Sequence, residues 1–426
     1  MQTVRTAATK ALAVIGVLAM ADAPPARSQT PPGPIATGAE VLVETGFAVL
    51  AGKRVGLVTN QTGRIGTAHL ADLVAKAANV RLTAILAPEH GFRGEAEAGA
   101  RVGDAIDAGT GVPVFSLYGA TKKPTPQMLR NVDVLVFDIQ DIGVRFYTYI
   151  STMGLAMQAA VEARIPFVVL DRPNPLGGDY VSGFVLDPAL ASFVGRYPIP
   201  IVHGLTVGEL ARMIKGESWL PGLDGLDLKV VAMRGWRRSM RWLELRRPWV
   251  ATSPNIPTFE AALAYPGMGV VGEALVNEGR GTPTPFSVFG AAWLDGGSMV
   301  QRLEALKLAG VRFERTQFTP RSIPRVATHP RFEGKAIGGV RIVVTDVARF
   351  EPLEAGMHVL AGLAAEARRQ GKAQLIGNLS MFYAIAGTRR LRRMLADGRD
   401  GAAIVAAWQD EVARFKARRA PYLLYE

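Results

Sequence analysis

The feature that most constrains the fold is a short apolar run that stops at a group of charged side chains. The run covers residues 81–87 and is closed by Pro88, after which come Glu89, His90 and Arg93. Its length and apolar content are typical of a buried β-strand. In open α/β sheets, ligands bind just beyond the carboxyl ends of the strands. The run therefore predicts a strand with a binding site at its end.

Three further runs repeat this layout. They cover residues 54–59, 132–138 and 166–170, and each ends in a polar cluster. The stretches between the runs alternate helical and strand patterns, which predicts an α/β fold built on a doubly wound, largely parallel sheet. Parallel strands place their carboxyl ends at the same edge of a sheet, so we expect the four polar clusters to lie together. We take that edge as the candidate site.

The length of the chain predicts two domains. A chain of 426 residues is usually too long to fold around a single hydrophobic core. Turn-rich segments at 253–259 and 265–267, which we interpret as extended, mark a change in composition. We place a signal peptide over 1–28, a first domain over 38–257 and a second domain over 258–426, in which single helices are predicted near 380–395 and 402–416.

The N-terminus has the pattern of a signal peptide. Arg5 and Lys10 precede an apolar run at 11–20 that is too short to span a bilayer as a helix. The small residues Ala26 and Ser28 suit cleavage after Ser28. We expect an exported protein, periplasmic or secreted, with no stable membrane insertion after cleavage; an uncleaved membrane anchor is the alternative.

Composition narrows the chemistry and the partners. The chain has no cysteine, which removes disulfides and thiolate catalysis, and its formal charge of +12 favours an anionic partner. A basic run at 234–249 interleaves arginine with tryptophan, as a nucleic-acid stacking groove does. The alternative, which we favour, is a surface segment whose tryptophans pack on the core. We expect no nucleic-acid partner.

Glu89 is the strongest single candidate for catalysis. A carboxyl group partly shielded from water, between Pro88 and Gly91, suits a general acid near neutral pH. The glycine lets the backbone approach a ligand closely. The alternative is a structural ion pair with Arg93 or Arg145.

The densest polar cluster follows the run at 132–138 and comprises Asp138, Gln140, Asp141, Arg145 and Tyr147. Either aspartate offers a second carboxylate, and Arg145 offers a fork for an anionic substituent. The alternative is a loop held together by its own Asp–Arg hydrogen bonds.

The remaining candidates are more scattered. Asp171, Arg172 and Asn174 suit hydroxyl recognition, with ordinary turn chemistry as the alternative. His90 and His203 lack the H-x-H or H-E-x-x-H spacing of metal sites, so hydrogen bonding is the better interpretation.

A glycine-rich loop in the predicted second domain carries Glu278 and Arg280. Such a loop suits closure of a cleft over the sheet edge. A domain-interface salt bridge is an equal alternative. Motifs for a dinucleotide site, a P-loop and a Ser-His-Asp triad are not found in the sequence.

Six motifs in order resemble the exo-β-N-acetylmuramidase family of peptidoglycan hexosaminidases. They are RVGLVTNQTG at 54–63, APEHGFRG at 87–94, FDIQDIGVRFYTY at 137–149, LDRPNPLGG at 170–178, SPNIP at 253–257 and EGRGT at 278–282. The resemblance implies a Rossmann-like first domain, a smaller α/β second domain and an active site in the cleft between them. It also implies release of terminal, non-reducing N-acetylmuramic acid from peptidoglycan fragments without a nucleotide cofactor. We expect no cofactor and no metal.

The resemblance also suggests roles for particular residues. It places the acid/base role on Glu89 and leaves Glu278, Asp138 and Asp141 as candidates for the second catalytic group. We expect substrate contacts, with MurNAc-GlcNAc oligosaccharides or muropeptides, from Asn60, His90, Arg93, Gln140, Arg145, Tyr147, Asp171, Arg172, Asn174, His203, Asn255 and Arg280. Of these, Arg145, Arg172 and Arg280 suit the lactyl carboxylate of muramic acid.

Two other functions compete with glycoside hydrolysis. One is an exported, non-catalytic binding protein that closes two α/β domains on an anionic sugar. The other is a metal-dependent hydrolase that uses His90, Asp138 and Asp141.

Overall fold

A seven-stranded sheet organises the first half of the chain in the computed structural model, which describes residues 2–3, 35–93 and 105–426. All but two residues of the predicted signal peptide, and its cleavage site, lie outside the described residues. The strands are Arg54–Thr59 (β1), Arg64–Ile65 (β2), Ala68–His69 (β3), Arg81–Ala87 (β4), Ala105–Ile106 (β5), Pro113–Ser116 (β6), Val134–Asp138 (β7), Phe167–Leu170 (β8), Leu228–Val231 (β9), Val288–Gly290 (β10), Val311–Phe318 (β11) and Ile337–Val344 (β12).

Helices cover the sheet and make up most of the second half. They are Gly38–Glu44 (α1), Leu70–Lys76 (α2), Tyr149–Glu162 (α3), Val207–Gly216 (α4), Phe259–Val271 (α5), Gly296–Glu304 (α6), Pro352–Arg369 (α7), Leu379–Ala386 (α8), Arg390–Ala396 (α9), Gly401–Ala406 (α10) and Gln409–Arg419 (α11). Thr206 and Glu209 form a capping box at the start of α4. Among the described residues, no helix has both the length and the apolar character needed to cross a bilayer.

The large sheet has the order β5-β6-β4-β1-β7-β8-β9. Every pairing in it is parallel except that of β5 with β6. Successive residues of a strand face opposite cores: Val134 and Val136 pack with α1 and α2, whereas Leu135 and Phe137 pack with α3 and α4. Burial on both faces explains why these strands appear in the sequence as continuous apolar runs. The predicted α/β class and parallel sheet are confirmed.

The second half contains a three-stranded antiparallel sheet, β10-β12-β11, and helices α5 to α11. Residues 35–426 form one compact unit. The domain boundary at 257–258 stays a prediction.

The prediction of an extended segment at 265–267 was wrong, because these residues lie inside α5. Pro266 is accommodated in a helix of which ten of the thirteen residues are buried. A side chain at Gly267 would place its Cβ 2.2 Å from the carbonyl oxygen of Pro352 and 2.9 Å from the Cα of Gly356. Close packing of α5 on α7 therefore outweighs the local preference of proline.

Two helices predicted as continuous are each broken. The segment near 380–395 divides into α8 and α9 at Gly387, which adopts a left-handed conformation with φ of 74°. The segment near 402–416 divides into α10 and α11 around Trp408. In the basic run, Trp236 and Trp242 are buried in the core. Those two rings are not available for stacking on nucleic acid.

Candidate active site

The four polar clusters meet at one edge of the sheet, as predicted. Strands β4, β1, β7 and β8 are consecutive neighbours and run in parallel, so their carboxyl ends point the same way. Glu89 follows β4 and Asp171 follows β8, while Asn60 and Asp138 lie at the ends of the two strands between them. This is the edge at which α/β sheets bind ligands.

Glu89 lies at this edge in a tight turn. His90 has a φ of 71° and Gly91 a φ of 77°, so the chain reverses immediately after the carboxylate. The hydroxyl of Thr148, at the start of α3, donates a hydrogen bond of 2.6 Å to Glu89 Oε2. The phenol of Tyr118 also donates to Glu89; burial, and then the Glu89 charge, raise the pKa of that phenol to about 12. Two hydroxyls thus orient the carboxyl group.

Glu89 opens into a cavity of about 400 Å³. One side comes from the sheet edge and the loops around it. The other side comes from α5, α8 and the loop that carries Arg280. The residues that line it are Glu89, His90, Tyr118, Lys122, Phe146, Tyr147, Thr148, Tyr149, Phe193, Val194, Ser253, Asn255, Ile256, Tyr265, Glu273, Arg280, Phe286, Met381 and Ile385. The cavity therefore lies between the two halves of the chain.

Aromatic rings form much of the cavity wall. Tyr265 packs edge to face on Phe286 with 4.8 Å between ring centroids, and on Phe146 at 5.3 Å. Tyr147 packs on Tyr149 at 4.9 Å. Rings held in this way offer flat apolar surfaces to the C–H face of a sugar, with hydroxyl groups at their edges.

Lys122 and Arg280 are the two Lys or Arg side chains among the described residues that line the cavity. Arg280 pairs with Glu278 at 2.5 Å, and its guanidinium lies 5.3 Å from the centre of the Phe286 ring. The Lys122 ammonium lies 4.5 Å from the centre of the Phe193 ring. Both cations can meet an anionic group in the cavity.

The predicted second carboxylate Asp138 is committed elsewhere. Arg172 grips it with two hydrogen bonds, Nε to Oδ1 at 2.6 Å and Nη2 to Oδ2 at 3.0 Å. The Asp138 side chain is fully buried, and neither residue lines the cavity. The pair joins the ends of β7 and β8, so Asp138 and Arg172 stabilise the sheet edge without contacting the cavity.

Asp141 is buried and holds the loop after β7 in place. Its Oδ1 accepts a hydrogen bond of 2.7 Å from the Gly143 backbone, and burial raises its pKa to about 7. The neighbouring Gln140 side chain donates to the carbonyls of Asp141 and Pro173, at 2.8 and 2.7 Å. Neither residue lines the cavity.

Arg145 does not reach the cavity. It is fully buried and donates to the carbonyls of Phe184, Ile199 and Ile385, at 2.7, 2.9 and 2.8 Å. Burial lowers its pKa to about 9. The arginine therefore links the loop after β7 to α8, and the expectation that it binds an anionic substituent does not match its position.

Three more predicted contacts are buried outside the cavity. Asp171 accepts from Thr206 and Tyr425, at 2.7 and 2.5 Å. Asn174 donates to Leu205 O at 3.0 Å. Burial, and then neighbouring arginines, lower the pKa of His203 to about 3. These side chains organise the loops at the sheet edge.

The other predicted residues divide between cavity and surroundings. His90, Tyr147, Asn255 and Arg280 line the cavity, whereas Glu278 lines an adjoining one. Asn60 is buried, with its Oδ1 accepting from the Thr62 backbone at 3.0 Å. Arg93 pairs with Asp107 at 2.6 Å. Sequence reasoning missed several lining residues, among them Tyr118, Lys122, Thr148, Tyr265 and Glu273.

The geometry gives no support to the metal-dependent alternative. Among the described residues, no group of three or more His, Asp or Glu side chains is placed to hold a metal ion. Asp138, one of its three expected ligands, is paired with Arg172.

Two halves that enclose a cavity with carboxyl groups and aromatic rings form an arrangement suited to a carbohydrate-active hydrolase. Comparison with known proteins makes this specific. The N-terminal and C-terminal family models of the exo-β-N-acetylmuramidase NamZ match residues 55–260 and 263–425, and the chain belongs to this family.

Individual relatives cover nearly the whole chain. It is 41% identical over 417 residues to the peptidoglycan β-N-acetylmuramidase NamZ of Bacillus subtilis strain 168, with 97% of each chain covered. Two crystal structures of DUF1343 family proteins from Bacteroides fragilis NCTC 9343 are similar to it. One has a TM-score of 0.84 at 38% identity and the other 0.76 at 34%; each match covers 92% of this chain and 99% of the solved one.

Proposed function

We propose that this protein is an exo-acting β-N-acetylmuramidase that releases terminal, non-reducing N-acetylmuramic acid from peptidoglycan fragments. The observation that carries the proposal is Glu89, held by Thr148 and Tyr118 in an aromatic cavity between the two halves of a NamZ-family chain. A cavity of about 400 Å³ suits one bound sugar at a time.

Glu89 takes the role of proton donor. In glycoside hydrolysis, a carboxyl group protonates the glycosidic oxygen as the bond to the anomeric carbon breaks. Thr148 and Tyr118 hold the Glu89 carboxyl group by hydrogen bonds at the cavity. The leaving sugar then departs as a neutral alcohol.

Selectivity for muramic acid comes from charge. Muramic acid differs from glucosamine by a lactyl carboxylate, and Arg280 and Lys122 are the cavity cations that can meet it. The substrates we propose are MurNAc-GlcNAc oligosaccharides or muropeptides. The N-terminal sequence supports export to the periplasm or the medium, where such polymers are found.

The experiment compares release of 4-nitrophenol from 4-nitrophenyl β-N-acetylmuramide and from the corresponding N-acetylglucosaminide. We expect turnover of the muramide, weak or no turnover of the glucosaminide, and a loss of kcat of about 100-fold or more in Glu89→Gln when a MurNAc-GlcNAc disaccharide is the substrate. The matched control is Glu260→Gln, an exposed glutamate in the first turn of α5. Saturable binding of the muramide by wild-type protein without turnover would favour the binding-protein alternative.

A further inference from the structure

The cavity beside Glu89 contains a second carboxyl group that no sequence motif singles out. Glu273 lines this cavity together with Glu89. It also lines an adjoining polar cavity of about 370 Å³, which includes His329 and Arg331. A substrate that extends from one cavity into the other therefore lies against the Glu273 side chain.

The other candidate carboxylates already have partners within the protein. Asp138 is paired with Arg172, Asp141 accepts from the backbone of Gly143, and Glu278 is paired with Arg280. Among the described residues, Glu89 and Glu273 are the two carboxyl groups that line the cavity. Glycoside hydrolases generally use a pair of carboxyl groups on either side of the scissile bond.

The charges of both carboxyl groups affect the pKa of one phenol in the cavity wall, that of Tyr265. Burial raises the pKa of Tyr265 to about 12; the charge of Arg280 opposes this rise, and the charges of Glu89, Glu273 and Glu278 add to it. Tyr265 thus lies within electrostatic reach of Glu89 from the sheet edge and of Glu273 from the other half of the chain. The two groups line one cavity, Glu89 from the first half of the chain and Glu273 from the second.

The backbone around Glu273 is fixed on both sides. Its N–H donates to the Val270 carbonyl at 3.2 Å, and its own carbonyl accepts from the Gly377 N–H at 3.1 Å. Helix α5, which ends two residues earlier, is locked on α7 by the close approach of Gly267 to Gly356. The part of the chain that carries the Glu273 side chain is therefore held in a fixed place beside the cavity.

We propose that Glu273 is the second catalytic carboxylate of the hydrolysis proposed above, and the inference rests on that proposed function. Glu89 gives its proton to the glycosidic oxygen, and the electron pair of the broken bond stays with that oxygen. The Glu273 carboxylate stabilises the positive charge that develops at the anomeric carbon. It then takes a proton from the water whose oxygen bonds to that carbon.

The charges around Glu273 suit this role. Burial raises its pKa, the nearby Glu278 charge adds to the rise, and the Arg280 and Arg331 charges oppose it. The two arginines favour the ionised form near neutral pH, while the raised pKa makes that form a stronger base.

The test uses Glu273→Gln in the full chain, with Glu260→Gln as control, and two substrates. One is the 4-nitrophenyl muramide, whose leaving group needs little protonation, and the other is a MurNAc-GlcNAc disaccharide. We expect kcat to fall about 100-fold or more for both substrates alike, with KM nearly unchanged. The Glu89→Gln variant should instead lose far more activity on the disaccharide. Thermal melting and binding of N-acetylmuramic acid report whether each variant is folded.

The outcomes distinguish a failure of the proposed Glu273 role from a failure of the proposed muramidase function. Absence of turnover by the wild-type protein on either substrate overturns the proposed function itself. Turnover by the wild type, with more than a tenth of kcat kept in Glu273→Gln, overturns the inference alone. So does a loss confined to KM, or a loss much larger for the disaccharide, which would make Glu273 the proton donor.

Discussion

Arg172 and Asp138 join the carboxyl ends of two adjacent strands through a two-pronged ion pair, with donor–acceptor distances of 2.6 and 3.0 Å. Both side chains are almost completely shielded from water. Removing one partner from such a pair leaves a buried charge without compensation. The pair therefore secures the sheet edge on which Glu89 and its neighbours are placed.

The ion pair gives a prediction for stability. Arg172→Met, which leaves the Asp138 carboxylate alone, should lower the free energy of unfolding by about 3–5 kcal/mol. Urea denaturation followed by circular dichroism measures this change. The control is Asp133→Asn, which breaks the half-exposed pair with Arg54 at 2.7 Å and should cost much less. Equal losses of unfolding free energy in the two variants would contradict the prediction that the buried ion pair matters more for stability than the exposed one.

The hydrogen bond from Thr148 to Glu89 gives a prediction for activity. Thr148→Val removes the hydroxyl but keeps the shape, so kcat on the MurNAc-GlcNAc disaccharide, whose leaving group needs the proton of Glu89, should fall about 10-fold to 100-fold. Thr148→Ser keeps the hydroxyl and should retain most of the activity. The Thr148 side chain makes no capping bond to α3, so the melting temperature should change little in either variant. Similar kcat values for the two variants would exclude a role for the hydroxyl.

Asp141 gives a prediction for the pH dependence of stability. Its ordinary pKa of 3.8 is raised to about 7 by burial in the folded protein. Between these values the folded state holds a proton that the unfolded state releases, so the free energy of unfolding falls as pH rises through this window. Asp141→Asn abolishes the effect and keeps an oxygen for the Gly143 N–H.

The measurement for Asp141 is urea denaturation of wild type and variant at about pH 5 and about pH 8. The variant should gain stability relative to the wild type at the higher pH. Burial also raises the pKa of Asp171 to about 7. Asp171 is present in both proteins, so its effect on the free energy of unfolding cancels when the two are compared. If the difference in unfolding free energy between wild type and Asp141→Asn is the same at both pH values, Asp141 does not titrate in this range.

The sequence by itself determined the sheet and the edge that carries the site. The four apolar runs correspond to β1, β4, β7 and β8, because parallel strands buried on both faces leave uninterrupted apolar segments. Glu89 was identifiable for the same reason, since it comes directly after such a segment. The motifs that resemble the muramidase family lie largely at these strand ends.

Only the tertiary structure decided which polar residues face the cavity. A local pattern cannot separate an arginine that binds a ligand from Arg145, whose partner Ile385 is 240 residues away. Glu273 escaped notice because it follows a proline-containing segment that the sequence alone did not predict to be helical, and whose Gly267 packs closely on Gly356 of a distant helix. Strand periodicity is a local property of the chain, whereas burial and pairing of a charged side chain depend on segments brought together by folding.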